Sequence, residues 1–250
     1  MRSLQASRET TGLIGARCKL RKELSRGVLT GGSPIFPNAD LADSIIISSF
    51  KVNLHPIKFG NEEISFIFPK WQELEDLTFF LSQKIIKSKI KIDRLVTLAK
   101  GGWPMSRSLI DFLGIKEIAS IGIKFYRGIG EKLKKPLIYQ NIPVSIYREK
   151  VLLFDDVADT GYSLEFARRY LHDNGADKVY TATLFYKPSS KIKPDFYAFE
   201  TSSWIIFPYE KKESIKLLKE MWVKKGLEEE EIKKRLREIG FTRKILEKFF

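Results

Sequence analysis

The chain has 250 residues, 43% of them hydrophobic, and carries a formal net charge of +13. That length holds one generous domain, or one domain with appendages, and supplies ample core material. A single cysteine, Cys18, excludes an internal disulfide framework and fits a reducing cytoplasm, and no apolar run approaches the roughly 20 residues of a membrane span. The charge allows nucleic acid, a multiply phosphorylated substrate or simply a lysine-rich solvated surface, and does not choose among them.

Residues 1–43 differ in texture from the rest. Arg2, Arg8, Arg17, Arg21 and Arg26 are mixed with Ser, Thr and Gly, and Gly31-Gly32-Ser33-Pro34 reads as loop. The stretch matches either an organelle transit peptide or an extension from an upstream start codon. The second reading is preferred, so a poorly ordered extension is expected over 1–43, a folded domain over 44–210 and a helical appendage over 211–250.

Ser65-Phe66-Ile67-Phe68 reads as a short strand before Pro69. Trp71, Leu74, Leu77, Leu81 and Ile85 recur at helical spacing and predict a helix over 70–87. Leu95-Val96-Thr97-Leu98 is a buried-type strand, running into Lys100-Gly101-Gly102 and a helix through Leu113. A strand follows at Ile118–Tyr126, and the Gly- and Lys-rich residues 127–142 read as a mobile loop or open hairpin. Val151–Phe154 is a strand, 162–174 a helix and 178–186 a strand. Such alternation predicts an α/β fold with a mostly parallel, doubly wound sheet. Beyond Lys211 three apolar stripes, punctuated by Gly226 and Gly240, predict two or three short helices.

The stretch Val151–Ser163 carries most of the chemistry. Its apolar strand is expected to end at Phe154, followed by Asp155 and Asp156. Asp159 then opens a small-residue turn through Thr160, Gly161, Tyr162 and Ser163, and an amphipathic helix follows. Ligands of open parallel sheets bind beyond the carboxyl ends of strands, and the free N–H groups of a helix start suit a phosphate. Carboxylates suit sugar hydroxyls or a magnesium ion. A plain capped turn accounts for one acidic residue, but not for three with a Thr-Gly-x-Ser tail.

This run resembles the phosphoribosyl-pyrophosphate (PRPP) signature of type I phosphoribosyltransferases: hydrophobic strand, two acidic residues, then Asp-Thr-Gly-x-Ser/Thr. Further pieces agree over residues 62–210. Lys100-Gly101-Gly102 resembles the pyrophosphate loop of the purine enzymes, in which the peptide before the first glycine is often cis. The loop 127–142, with Arg127, Lys132, Lys134 and Lys135, stands where the family closes a mobile loop over the reacting centre. Lys187, in Tyr186-Lys187-Pro188, resembles the lysine by which the 6-oxopurine branch donates to the exocyclic oxygen of the base. Trp204-Ile205-Ile206-Phe207-Pro208-Tyr209-Glu210 resembles the Trp-Ile-acidic-x-Pro-Trp-Asp segment of bacterial xanthine–guanine enzymes, except that Ile206 replaces an acidic residue.

The resemblance implies a purine phosphoribosyltransferase with the type I fold, working in nucleotide salvage and forming a homodimer. Asp155 and Asp156 would grip the ribose and, directly or indirectly, Mg²⁺. Asp159, Thr160, Gly161, Tyr162 and Ser163 would hold the 5′-phosphate, with Asp159 also the proton-transfer group. Lys100, Gly101 and Gly102 would bind pyrophosphate, and Lys187, Trp204 and Ile205 the base. Hypoxanthine or guanine is favoured and adenine is close behind, because a lysine matches a carbonyl oxygen. The competing reading is a PRPP-sensing transcriptional regulator. It lacks a recognisable DNA-reading helix pair before residue 62, and Glu228–Glu231 would repel phosphate, so neither nucleic acid nor a membrane is the expected partner.

Overall fold

The computed structural model describes residues 52, 54–126 and 135–250. The expected extension over 1–43, the start of the folded domain at 44, and Arg127, Lys132 and Lys134 of the expected loop lie outside the described residues. A six-stranded sheet forms the centre, in the order β5-β4-β3-β6-β7-β8. Its strands are β3 (Arg94–Ala99), β4 (Glu117–Tyr126), β5 (Lys135–Gln140), β6 (Lys150–Ala158), β7 (Lys178–Tyr186) and β8 (Phe196–Glu200). All neighbours pair in parallel except β4 and β5, which form the open hairpin. A small second sheet joins β1 (Ile57–Lys58), β2 (Ser65–Ile67) and β9 (Trp204–Ile205), with β2 and β9 parallel.

Helices cover both faces of the central sheet. On one face lie α1 (Trp71–Lys87) and α2 (Trp103–Leu113). Leu74, Leu77, Leu81 and Ile85 form the buried stripe of α1, and the Lys70 N–H donates to the Glu73 carboxylate to start the helix. Pro104 fits the first turn of α2, where its missing N–H costs nothing, and Gly114 ends the helix at φ +68°. On the other face lies α3 (Tyr162–Asp173), through Leu164, Ala167 and Leu171. Strand β6 shows the two-sided burial in its alternation: Leu152 and Phe154 join the core under α1 and α2, while Val151 and Leu153 join the core under α3.

At the amino ends of the strands, Arg94 is 8% exposed. Its guanidinium donates twice to Glu149, at 2.7 and 2.9 Å, and once to Glu117 at 3.2 Å. This fork ties β3 to the start of β4 and to the segment entering β6, far along the strands from their carboxyl ends.

The three C-terminal helices, α4 (Lys211–Lys224), α5 (Glu229–Ile239) and α6 (Arg243–Phe249), are the predicted short helices. Gly226 and Gly240 separate them at φ +80° and +125°. Their apolar stripes share a third core with the small sheet: Phe59, Phe66 and Ile206 pack with Ile215, Leu218, Trp222, Ile232 and Leu236. Glu62 pairs with Arg235 and, at 2.7 Å, with Lys225. Burial alone would raise the Glu62 carboxyl, but its bonds to those two cations outweigh that and hold it below the ordinary carboxylate range.

Candidate active site

Strand β6 does not stop at Phe154, as its apolar run predicts. It continues to Ala158, because β7 is equally long and keeps pairing with it through Asp155↔Thr183, Val157↔Phe185 and Ala158↔Tyr186. Asp155 and Asp156 are therefore strand residues, not turn residues, and alternation sends them to opposite faces. A cavity of 190 Å³ wraps the strand end and takes lining from both sides: Asp156 with Gly101, and Asp155 with Ser163.

The two acids differ in their surroundings. The Asp156 carboxylate lies against Gly101, where an added Cβ would stand 2.6 Å from either carboxylate oxygen. It accepts a hydrogen bond from the Tyr209 hydroxyl at 2.8 Å. Burial pushes the Asp156 carboxyl up to about 6, against the Tyr209 bond, which lowers it. Asp155 accepts from the Asp156 N–H at 3.0 Å, and burial followed by the Asp156 charge drives it well above the ordinary range. Glu210, on the same cavity wall, is pushed up to about 7 by burial and then by Asp156. Acidic groups crowded in a low-dielectric pocket favour a positive charge among them. Their oxygen donors fit a hard cation, although among the described residues no group of three or more His, Cys, Asp or Glu could hold a metal ion.

The turn after β6 bears the marks of an anion site. Gly161, not Asp159, is the residue preceding α3, at φ +79° and without a side-chain cap. The first intrahelical bond runs from the Glu165 N–H to the Gly161 carbonyl, so the N–H groups of Tyr162, Ser163 and Leu164 have no acceptor within the helix. An added Cβ at Gly161 would meet Ser190 Oγ at 2.5 Å, and Lys191 N–H donates to the Thr160 carbonyl. The loop after β7 thus braces the turn. Ser190 is not singled out in the sequence, where Pro188-Ser189-Ser190 reads only as loop. Ser163 lines the carboxylate cavity, whereas exposed Thr160 and Tyr162 line a separate hollow with Phe125 and Phe166.

Asp159 and Lys187 meet directly, Oδ1 to Nζ, at 2.8 Å. Both line a second cavity of 310 Å³ with Trp204, Ile205, Val157, Phe207 and Glu210. The four residues expected at the base and at proton transfer therefore share one chamber. Val157, Phe207 and Glu210 line both cavities, so the chambers adjoin. Ile206 takes no part: it is fully buried in the helical core. Its apolar character follows from that placement, since an acid there would be buried among Phe66, Ile215 and Trp222.

The glycine loop divides its work. The cis peptide is Ala99–Lys100, one bond earlier than expected. Gly101 lines the carboxylate cavity, and Lys100 is exposed at the mouth of the loop. Gly102 does not line that cavity; it lets α2 start close over β3 and β6, where an added Cβ would stand 2.4 Å from Thr97 Oγ1 and 2.8 Å from the Phe154 carbonyl.

A mostly parallel sheet flanked by helices, with a glycine turn and paired acids at the carboxyl end of a central strand, is the type I phosphoribosyltransferase fold. Residues 69–213 match the family model for the phosphoribosyl transferase domain, and the chain belongs to that family, in its purine branch. A purine phosphoribosyltransferase from Pyrococcus horikoshii is 31% identical, with a TM-score of 0.53 over 58% of this chain and 93% of that one. A xanthine-guanine-hypoxanthine phosphoribosyltransferase from Helicobacter pylori is 26% identical, with a TM-score of 0.52 over 62% of this chain and 99% of that one. A Neisseria gonorrhoeae protein crystallised with ppGpp shares the fold at 23% identity, with a TM-score of 0.55 over 60% of this chain and 92% of that one.

Proposed function

We propose that this protein joins a purine base to PRPP, releasing pyrophosphate and forming a purine nucleoside monophosphate for nucleotide salvage. Hypoxanthine or guanine is the favoured base and adenine the next candidate. The observation that carries this reading is the convergence of Asp159, Lys187, Trp204 and Ile205 on one cavity that adjoins the chamber of Asp155, Asp156 and Ser163.

The 5′-phosphate sits on the free N–H groups of Tyr162 to Leu164 at the start of α3. Asp155 and Asp156 accept from the ribose hydroxyls, and their negative charge favours the positive charge that develops on the ribose as pyrophosphate departs. The same carboxylates would hold Mg²⁺ together with substrate oxygens, and the ion would neutralise the departing pyrophosphate. Trp204 stacks on the purine face, and backbone groups at Ile205 read its edge. Lys187 donates to the 6-oxo group, and Asp159, its partner at 2.8 Å, takes the proton from the base. The ion pair lets both groups reach one purine edge. Ile206 offers nothing to the 2-position, because it faces the helical core.

The test offers PRPP and Mg²⁺ with adenine, hypoxanthine, guanine and xanthine separately. Nucleotide from hypoxanthine or guanine supports the Lys187 assignment. Nucleotide from adenine alone keeps the reaction and removes Lys187 as the determinant of the base. PRPP binding without product from any base would overturn the catalytic reading in favour of a sensor.

A further inference from the structure

We infer that Tyr209 is a positioning residue, whose hydroxyl fixes the Asp156 carboxylate against the Gly101 loop and thereby sets the affinity for PRPP. This inference rests on the catalytic reading above and names a residue that the PRPP signature does not contain.

Tyr209 joins three parts of the site. Its hydroxyl donates to Asp156 Oδ2 at 2.8 Å and stands 3.5 Å from the Gly101 carbonyl oxygen. Its ring stacks on Phe207 at 5.0 Å and 12°, and meets Trp71 at 5.8 Å. The chain enters it from β9 through the cavity residue Phe207 and leaves it through Glu210 into α4. The aromatic contacts leave the ring little freedom, so the hydroxyl is presented in one direction.

Asp156 needs such a partner. It is 6% exposed, and its carboxylate presses on a glycine that has no side chain to hold it. A buried carboxylate without a donor is costly and tends to take up a proton or turn away. The segment that 204–210 resembles carries a tryptophan at this place, so a hydroxyl donor here is a departure from that pattern. Burial and the neighbouring carboxylates raise the phenol above its ordinary value, so it remains a donor throughout the neutral range.

The test is Tyr209→Phe, which keeps the ring and removes one oxygen. The Kd and KM for PRPP should rise about tenfold, as loss of a hydrogen bond to a charged group does, while the KM for the base changes less than twofold. A merely structural defect would lower the active fraction without this split. Equal PRPP constants in wild type and Y209F would overturn the inference, as would a matching rise in both KM values. D156N and D156N/Y209F supply a second comparison, and D156N, which keeps the Tyr209 ring and hydroxyl, should by itself raise the PRPP constants. Equal PRPP constants in that pair mean that Tyr209 acts through Asp156, and a further rise in the double variant overturns the idea. If the wild type binds PRPP but makes no nucleotide, the catalytic reading fails and the Kd comparison still decides this one.

Discussion

Lys187 Nζ lies 2.8 Å from Asp159 Oδ1, so the cation expected at the 6-position of the base and the carboxylate expected at its ring nitrogen neutralise one another across one cavity. Asp159 belongs to the turn after β6 and Lys187 to the loop after β7. Their meeting requires those parallel strands to end level, as the Ala158↔Tyr186 pairing shows. Asp159→Asn removes proton transfer and should lower kcat by about a hundredfold or more, with PRPP binding retained. Lys187→Met should raise the KM for hypoxanthine about tenfold and leave that for adenine unchanged or lower. Steady-state kinetics with both bases check this; an equal loss for the two bases would remove Lys187 from base selection.

The two glycines of the loop proposed for pyrophosphate should fail differently. An alanine at Gly102 drives its Cβ into the Phe154 carbonyl and Thr97, neither of which can swing away freely. Gly102→Ala is therefore expected to cost about 1–3 kcal/mol of stability in denaturant unfolding. Gly101→Ala meets the Asp156 carboxylate first, so it should weaken PRPP binding with a smaller loss of stability. The opposite ranking would mean that the loop shifts as a unit.

The Arg94 fork predicts a stability defect without a kinetic one. Glu149→Ala leaves a guanidinium that is 8% exposed with Glu117 as its remaining carboxylate partner, and should destabilise the fold by about 1–3 kcal/mol. The fork lies at the amino ends of the strands, so KM for either substrate should not move. A changed PRPP constant at unchanged stability would contradict this division between the ends of the sheet.

Stability should fall as pH rises through the range in which the buried acids titrate. Glu210 goes from an ordinary 4.5 to about 7 on folding, so between those values the folded protein keeps a proton that the unfolded chain has lost. A raised carboxyl favours the folded state at the acid end of the window and loses that advantage toward about 7. Asp155 and Asp156 shift in the same direction. Melting temperatures of the ligand-free protein across this window should decline, and Glu210→Gln should flatten the slope. A slope unchanged by the substitution would assign the titration to the aspartates.

The long elements were legible because their periodicity is decisive. The stripe of α1 and the apolar runs of β3, β6 and β7 identify themselves, and the Asp-Thr-Gly-x-Ser run marks the turn into α3. The end of β6 was hidden because Asp155 and Asp156 interrupt the apolar run, whereas the pairing with β7 that carries the strand past them is tertiary. Strands β1 and β9 are two residues long, too short to show any alternation. Tyr209 and Glu210 were visible as letters of a segment but not as site residues, since nothing local shows that they fold back on Asp156. Gly102 was assigned to pyrophosphate by its motif, and only the packing shows that its lack of a side chain serves the start of α2.

Strand β9 faces two ways. Trp204 and Ile205 line the cavity of Asp159 and Lys187, and Ile206, the next residue, is sealed beneath α4, α5 and α6. A tailored enzyme given the Trp-Ile-acidic-x-Pro-Trp-Asp segment that this one resembles would carry an acidic residue at position 206 and bury it in an oily core. Engineering of base preference through this strand must therefore transplant residues 204–210 together with the helical module that they plug into.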